Sequence, residues 1–436
     1  MSGVGRLPGP GRWPLAVRAG QLLFLSAQLP VDPHTGRPIE GYDDLPPAGR
    51  WPQTGSLLVD ALEERMAAQV WWLYDRIGAA LTQLGSSPGA ILLLGGWVTD
   101  FRQWPVMNRI RARTFGPDRY PACTTFQVPW VGAAGAVAAF EALALADGPL
   151  RKEPLGSVRQ VGAYIPGSKV GSLLFLAGEV PADPERGLVV RGYADLGAAG
   201  QALATGQIGA DGWEGRIRAQ AWYVYQRLAR LLAEGGSSLD RVVKQNVYLR
   251  DPRDYPAFEG ISRQAFGGAL PATSVVTVDE YGHRAFAVEV ELTAVAADAP
   301  PPARVESERV PMLGPGIPLA GRAGPLVFFS SQLPVDPATR RIVSDAGAGG
   351  PAALAARQAA QIYDSLARAL DEQRLDMRHL VRQVIYVAEP ALVPAVEAIA
   401  AAATAGAPPA TTLVQVRTLW PAPALVQIEF TAYVGD

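Results

Sequence analysis

The chain has 436 residues, 49% hydrophobic and 18% charged, which is apolar material for several cores and excludes a disordered chain. Lys and Arg number 39 against 41 Asp and Glu, a formal charge of −2, which argues against the concentrated basic surface of a nucleic-acid binder. The single cysteine, Cys123, excludes an intrachain disulfide, and the scattered His34, His283 and His379 form no ligand-spaced pair, so neither a metal nor a cofactor is expected.

In chain order, the first apolar run spans residues 22–29 and ends at the turn signal Pro30-Val31-Asp32-Pro33. Nearly the same run returns at 173–180 and 326–333, with Phe24, Phe175 and Phe328 spaced 151 and 153 residues apart. A cleaved leader would not recur twice, so these runs read as strands and a cytoplasmic location is expected. No run approaches the ~20 apolar residues of a spanning helix. After each strand comes an amphipathic helix. Its apolar stripes are Val70, Tyr74, Ile77, Leu81 and Leu84, then Ala221, Tyr225, Leu228 and Leu232, then Ile362, Leu366 and Leu370. Apolar strands at 91–99, 242–249 and 380–387 follow, then second helices at 104–115, 255–266 and 391–403. Two closing strands end each unit, the first holding Pro121-Ala122-Cys123-Thr124, Pro271-Ala272-Thr273-Ser274 or Pro409-Ala410-Thr411-Thr412. Phe286, Val288, Val290 and Leu292 share one face of the last strand in the second unit. This order predicts three α+β domains, at residues 1–150, 151–300 and 301–436, with linkers near 148–155 and 297–306. Segments opening at Gly41-Tyr42 and Gly192-Tyr193 are extra insertions before the first helix and are candidate lids.

The repeated unit resembles the RidA family, also called YjgF or the reactive-intermediate deaminases. The resemblance rests on the strand motif leading into Pro-x-Asp-Pro, on Gly235-Gly236-Ser237-Ser238, and on Val242-Val243-Lys244-Gln245-Asn246-Val247-Tyr248-Leu249. Met107-Asn108 and Val288-Glu289-Val290-Glu291 complete it. It implies a chorismate-mutase-like fold, and three fused copies imply one monomeric chain arranged as the family's homotrimer, a pseudo-trimer with small-molecule clefts between copies. It also implies hydrolysis of reactive imines and enamines. In the family an Arg in Pro-Ala-Arg clamps the substrate carboxylate. Here that position holds Cys123, Thr273 and Thr411, so the usual 2-imino acid chemistry is expected to be weak.

The corresponding site positions differ between copies. The family's early Tyr is Trp13, Tyr164 and Ile317, its helix Asn is Asn108, Glu259 and Glu397, and its first closing-strand Glu is Ala139, Glu289 and Gln427. Copy two keeps both Tyr164 and Glu289 and adds Glu179, so these three are the expected catalytic residues, two carboxylates serving as acid and base. Cys123, Asn108, Trp13, Thr273 and Thr411 are the expected substrate contacts. The function expected is acid–base hydrolysis, dehydration or isomerisation of a small imine, enamine or carbonyl metabolite, of a secondary-metabolic kind, by a hydrolase or lyase. The alternative is a non-catalytic small-molecule binder or pathway chaperone. Neither nucleic acid nor membrane is an expected partner.

Overall fold

The computed structural model describes residues 4–9, 11–156, 160–312, 314–345 and 349–435. The first unit contains β1 (Val4–Leu7), β2 (Ala16–Ala19), β3 (Leu22–Gln28), helix α1 (Leu57–Gln83), β4 (Ile91–Val98), α2 (Trp104–Phe115), β5 (Ala122–Gln127) and β6 (Ala138–Leu145). The second has β7 (Lys152–Leu155), β8 (Gly167–Val170), β9 (Leu173–Leu176), a small hairpin β10 (Ala182–Asp183) and β11 (Leu188–Val189), a short helix α3 (Ala198–Gln201), α4 (Ile208–Glu234), β12 (Val242–Leu249), α5 (Tyr255–Ala265), β13 (Ala272–Thr277) and β14 (Val288–Val295). The third has β15 (Ala303–Val305), β16 (Ala320–Ala323), β17 (Leu326–Phe329), α6 (Gly350–Glu372), β18 (Leu380–Val387), α7 (Val393–Ala403), β19 (Ala410–Gln415) and β20 (Val426–Tyr433).

Each unit builds a six-stranded sheet of one order: β1-β2-β3-β6-β4-β5, β7-β8-β9-β14-β12-β13 and β15-β16-β17-β20-β18-β19. Every pair is antiparallel except β4–β5, β12–β13 and β18–β19, which α2, α5 and α7 join as crossovers. The fold class is α+β, three tandem copies of one domain. The stretches expected to be linkers run into β7 and β15, edge strands of the second and third sheets, because their backbone groups pair with β8 and β16. The first helix of each unit is longer than its stripe predicts. Leu57, Leu58 and Leu62 on α1, and Ile208 and Trp213 on α4, extend it into solvent.

One face of each sheet packs on its two helices, forming three separate cores. A buried glutamine on each long helix ties two loops to it. Gln220 Nε2 donates to the carbonyls of Val190 (2.7 Å) and Ala285 (2.8 Å), and its Oε1 accepts the Ala287 N–H (2.7 Å). Gln69 and Gln358 repeat this pattern. The opposite faces meet around a pseudo-threefold axis. Phe24, Phe175 and Phe328 share one apolar cluster, and Trp97, Tyr248 and Tyr386 share another. Between them lies a polar layer containing Glu141, Glu291 and Glu429. Arg382 pairs with Glu141, and Thr124 Oγ1 donates to Glu291 at 2.9 Å, so the layer also joins neighbouring units. Arg6 and Arg304 hook onto the carbonyls of Pro408 and Leu270, and Lys152 donates to that of Tyr120 at 2.9 Å. No helix among the described residues is long and apolar enough to cross a membrane.

Candidate active site

The three clefts between units are built from equivalent positions but hold different chemistry. Tyr164 of the second unit leans on the core of the first, Ile317 of the third on the core of the second, and Trp13 of the first on the core of the third. In the second–third cleft, Gln245 Nε2 donates to Thr273 Oγ1 at 2.9 Å, and Thr273 Oγ1 donates to the Pro271 carbonyl. Tyr225 donates to Gln245 Oε1 at 2.9 Å. The third–first cleft repeats this with Gln383, Thr411 and Tyr363. Both threonines are therefore buried in closed internal networks. In the same two clefts Ser330 and Ser26 accept the N–H groups of Thr273 and Thr411, each at 2.9 Å. Trp13 and Thr411 line a cavity of about 520 Å³ in the third–first cleft, where the Trp13 indole donates to Glu397 at 3.2 Å. Of the expected contacts, Trp13, Thr273 and Thr411 thus lie apart from the others.

The first–second cleft is open. It holds a cavity of about 300 Å³ lined by Phe101, Trp104, Arg111, Cys123 and Thr125 of the first unit. The second unit contributes Tyr164, Val180, Leu188, Tyr281, Phe286 and Glu289, among others. Cys123, Tyr164 and Glu289 therefore line one cavity. The expected lids are elsewhere. Tyr42 of the first insertion is buried against its own helix, its N–H bonded to Glu64 at 2.9 Å, while the hairpin β10–β11 supplies Ala182, Asp183, Leu188 and Val189 to the cavity wall.

Glu289 lies on the inward face of β14, alternating with the core residues Val288 and Val290. It is 4% exposed and has no hydrogen-bond partner among the described residues. Burial, and then the nearby Glu291 and Glu179, push its carboxyl well above the ordinary 4.5. Room for that carboxyl comes from Gly178, where a Cβ would collide with Glu289 Oε1. At the equivalent positions the other clefts have Ala139, and Gln427, which donates to the Val275 carbonyl at 2.9 Å. Burial likewise raises the Tyr164 phenol, with Glu179 and Glu289 adding to it, so it stays a neutral hydroxyl.

Glu179 is not a free second carboxylate. Its Oε2 accepts from Arg227 Nε at 2.6 Å and its Oε1 from Gln160 at 2.9 Å, because the second unit places Arg227 on α4 directly behind β9. Its charge holds Arg227 and acts on Glu289 at a distance. Asn108 is also spent on structure: its Oδ1 accepts the Ala163 N–H at 2.7 Å, fixing the loop that carries Tyr164.

Sequence reading missed Arg111. It sits on α2 at the position of Ser262 in α5 and Ala400 in α7, is 1% exposed, and reaches the cavity beside Cys123. Its Nε donates to Tyr74 at 3.2 Å and its Nη2 has no partner. The available signal was its place on the buried stripe of Met107, Ile110 and Phe115, where a cation has no packing reason to be.

Residues 192–296 and 318–434, just over half of the chain, match the family model described as Endoribonuclease L-PSP. A RutC family protein of Pyrococcus abyssi is 31% identical over 120 residues, 28% of this chain and 76% of that protein. A Dermatophagoides farinae protein named 2-iminobutanoate/2-iminopropanoate deaminase is 26% identical over 143 residues, 33% of this chain and 88% of that one. A solved putative endoribonuclease from Klebsiella pneumoniae, 30% identical, covers 30% of this chain and 98% of its own, with a TM-score of 0.29. The matched stretches fall in the second and third units, and the first repeats their strand order, so the chain belongs to the RidA (YjgF) family as three tandem copies of its domain.

Proposed function

We propose that the first–second cleft is the active site of a divergent RidA-like enzyme that hydrolyses, dehydrates or isomerises a small imine, enamine or carbonyl compound by acid–base chemistry. The observation that carries this reading is Glu289, a buried carboxyl with a raised pKa and no partner, facing a cavity that only this cleft keeps open to it. In the hydrolytic case, protonated Glu289 gives its proton to an imine nitrogen. Water adds to the carbon, the resulting carboxylate takes the water's proton, and the C–N bond breaks to leave a carbonyl compound and ammonia. Tyr164 donates a hydrogen bond to the nitrogen or oxygen that carries developing charge. Glu179 and Asn108 act as positioning residues, through Arg227 and the Tyr164 loop. The deaminase name of one relative supports an imine as the bond type. The nuclease activity in the family description is not extended to this chain, whose charge is −2 and whose cavity wall is mostly apolar.

The test is ammonia release from imines generated in situ, in wild type and in Glu289→Gln. Loss of roughly 100-fold or more in turnover with a native fold is expected, the usual contribution of a general acid. Wild-type rates in Glu289→Gln would leave the second reading, a non-catalytic binder, which the size and apolar walls of the same cavity favour.

A further inference from the structure

Leu94, Arg111 and Cys123 set the first unit apart from the other two. Cys123 lies beside Leu94 in the strand register, where Thr273 and Thr411 lie beside the glutamines that bond them, Gln245 and Gln383. The Cys123 sulfur is therefore not spent on such a network. Its hydrogen-bond contact among the described residues is Thr125 Oγ1 at 3.5 Å, and both residues line the open cavity. Arg111 is buried where Ser262 and Ala400 stand in the other units, with no carboxylate among the described residues in ion-pair contact with it. An arginine cannot shed its charge in a protein, so burying it unbalanced is costly. Burial loosens its hold on its proton, but Cys123, then Tyr74 and Tyr164, act the other way and prevail. Burial keeps both phenols neutral, which leaves the Cys123 sulfur to carry the balancing charge.

We propose that Cys123 is a nucleophile that adds reversibly to an α,β-unsaturated aldehyde or ketone held in the first–second cleft. This rests on the reading that this cleft is the working one, and names the substrate class for it. The second group aimed into the same cavity is Glu289, buried, unpartnered and supplied by the second unit. A thiolate is a soft nucleophile and prefers a polarised C=C bond to a harder carbonyl carbon. The remaining wall is largely aromatic or aliphatic, and about 300 Å³ suits a small neutral conjugated compound. In the addition, the sulfur bonds to the β-carbon and the C=C electron pair moves through to the carbonyl oxygen, where the Tyr164 hydroxyl donates to the enolate. Glu289 then protonates the α-carbon. The proton that left the thiol goes to solvent, from which the Glu289 carboxylate recovers its own. The product is a saturated thioether, and the reverse steps release the starting compound.

The probe is 4-phenylbut-3-en-2-one, incubated with the full chain and followed by the loss of its conjugated absorbance and by intact mass. Cys123 is the chain's single cysteine, so one thiol adduct per chain is expected. It should form roughly tenfold or more faster than with N-acetylcysteine at the same pH, since the charge on sulfur is balanced and the enone is held in place. The saturated 4-phenylbutan-2-one should slow the reaction by competition, and Cys123→Ser should form no adduct. Arg111→Met should lose most of the rate advantage. A wild-type rate at or below that of N-acetylcysteine overturns the inference without requiring any variant to fold. An undiminished adduct in folded Cys123→Ser, or a wild-type rate in folded Arg111→Met, overturns it too. Retained imine turnover in Glu289→Gln with the adduct still forming on Cys123 would sink the acid–base reading instead, so the two failures are distinguishable.

Discussion

Glu289 makes the folded chain hold a proton that the unfolded chain releases. Unfolded, it ionises near its ordinary 4.5; folded, burial keeps it protonated well above that. The folded state therefore binds more protons above pH 4.5, and stability falls as pH rises toward the folded pKa. Each unit of separation between the two values corresponds to ~1.4 kcal/mol. Glu289→Gln cannot titrate, so the variant should gain stability relative to wild type between pH 5 and 7.5. Lys152 and Lys244, pulled down to about 8 by burial, are present in both proteins and drop out of the comparison. Urea midpoints at the two pH values check the prediction, and parallel shifts in both proteins would contradict it. At this scale the sequence was legible where a residue kept its place in a strand motif. Cys123, Tyr164 and Glu289 were named because they stand at the site positions of the family that the repeated unit resembles. Arg111 was not found, because it reaches the cavity from a helix, and only packing in three dimensions shows which cavity a helix residue lines. The commitment of Glu179 to Arg227 was hidden for the same reason, since 48 residues separate the partners.

Among the elements, the two helices and the central strands of each unit follow directly from periodicities near 3.6 and 2. The short edge strands β1, β7 and β15 do not, because a strand of three or four residues carries too little pattern to separate it from a linker. The repeated glutamine on the long helices is likewise invisible as a motif, yet each one satisfies three backbone groups. Gln220 grips the chain on both sides of Phe286 and next to β11, two parts of the cavity wall. Gln358 grips the matching loops of the third unit, away from the cavity. Replacing either by Leu leaves buried donors and acceptors unmet, at ~1–3 kcal/mol for each such group. Both Gln220→Leu and Gln358→Leu should therefore lower thermal stability by a similar amount. Only Gln220→Leu should also raise KM for the cleft's substrate, because it alone frees Phe286 and the hairpin. Equal KM values in the two variants would show that the cavity wall is held by other contacts.

The whole molecule closes on itself. Each unit spends one sheet edge and one sheet face on its neighbours, and the axial layer draws on all three. Covalent linkage makes this closure intramolecular, so assembly does not depend on concentration. A solution mass near the chain's own 46.2 kDa is expected by light scattering across a hundredfold dilution. A stable species of three chains would mean that the closed arrangement forms between molecules. The threefold repeat was legible from Phe24, Phe175 and Phe328 and their shared motifs. The loss of equivalence between clefts was legible in outline from Ala139, Glu289 and Gln427. How the other two clefts are closed around their threonines was not, since that depends on Ser330 and Ser26 meeting Thr273 and Thr411 of another unit.

Only two of the three interfaces lie between consecutive units. The first and second are joined through residues 146–151, and the second and third through 296–302, whereas the third meets the first purely by contact, β19 against β3, with Arg6 hooked on Pro408 and Arg382 on Glu141. That interface is a clasp on a bracelet whose other links are riveted. That seam is the one that can part without stretching the chain, at the contact of Thr411 with Ser26, whereas the chain itself ties the unit of Cys123 to the unit of Glu289. A trimer of separate chains has no such privileged link. Placing Cys123 and Glu289 across a tethered joint keeps their two units close whatever happens at the untethered seam.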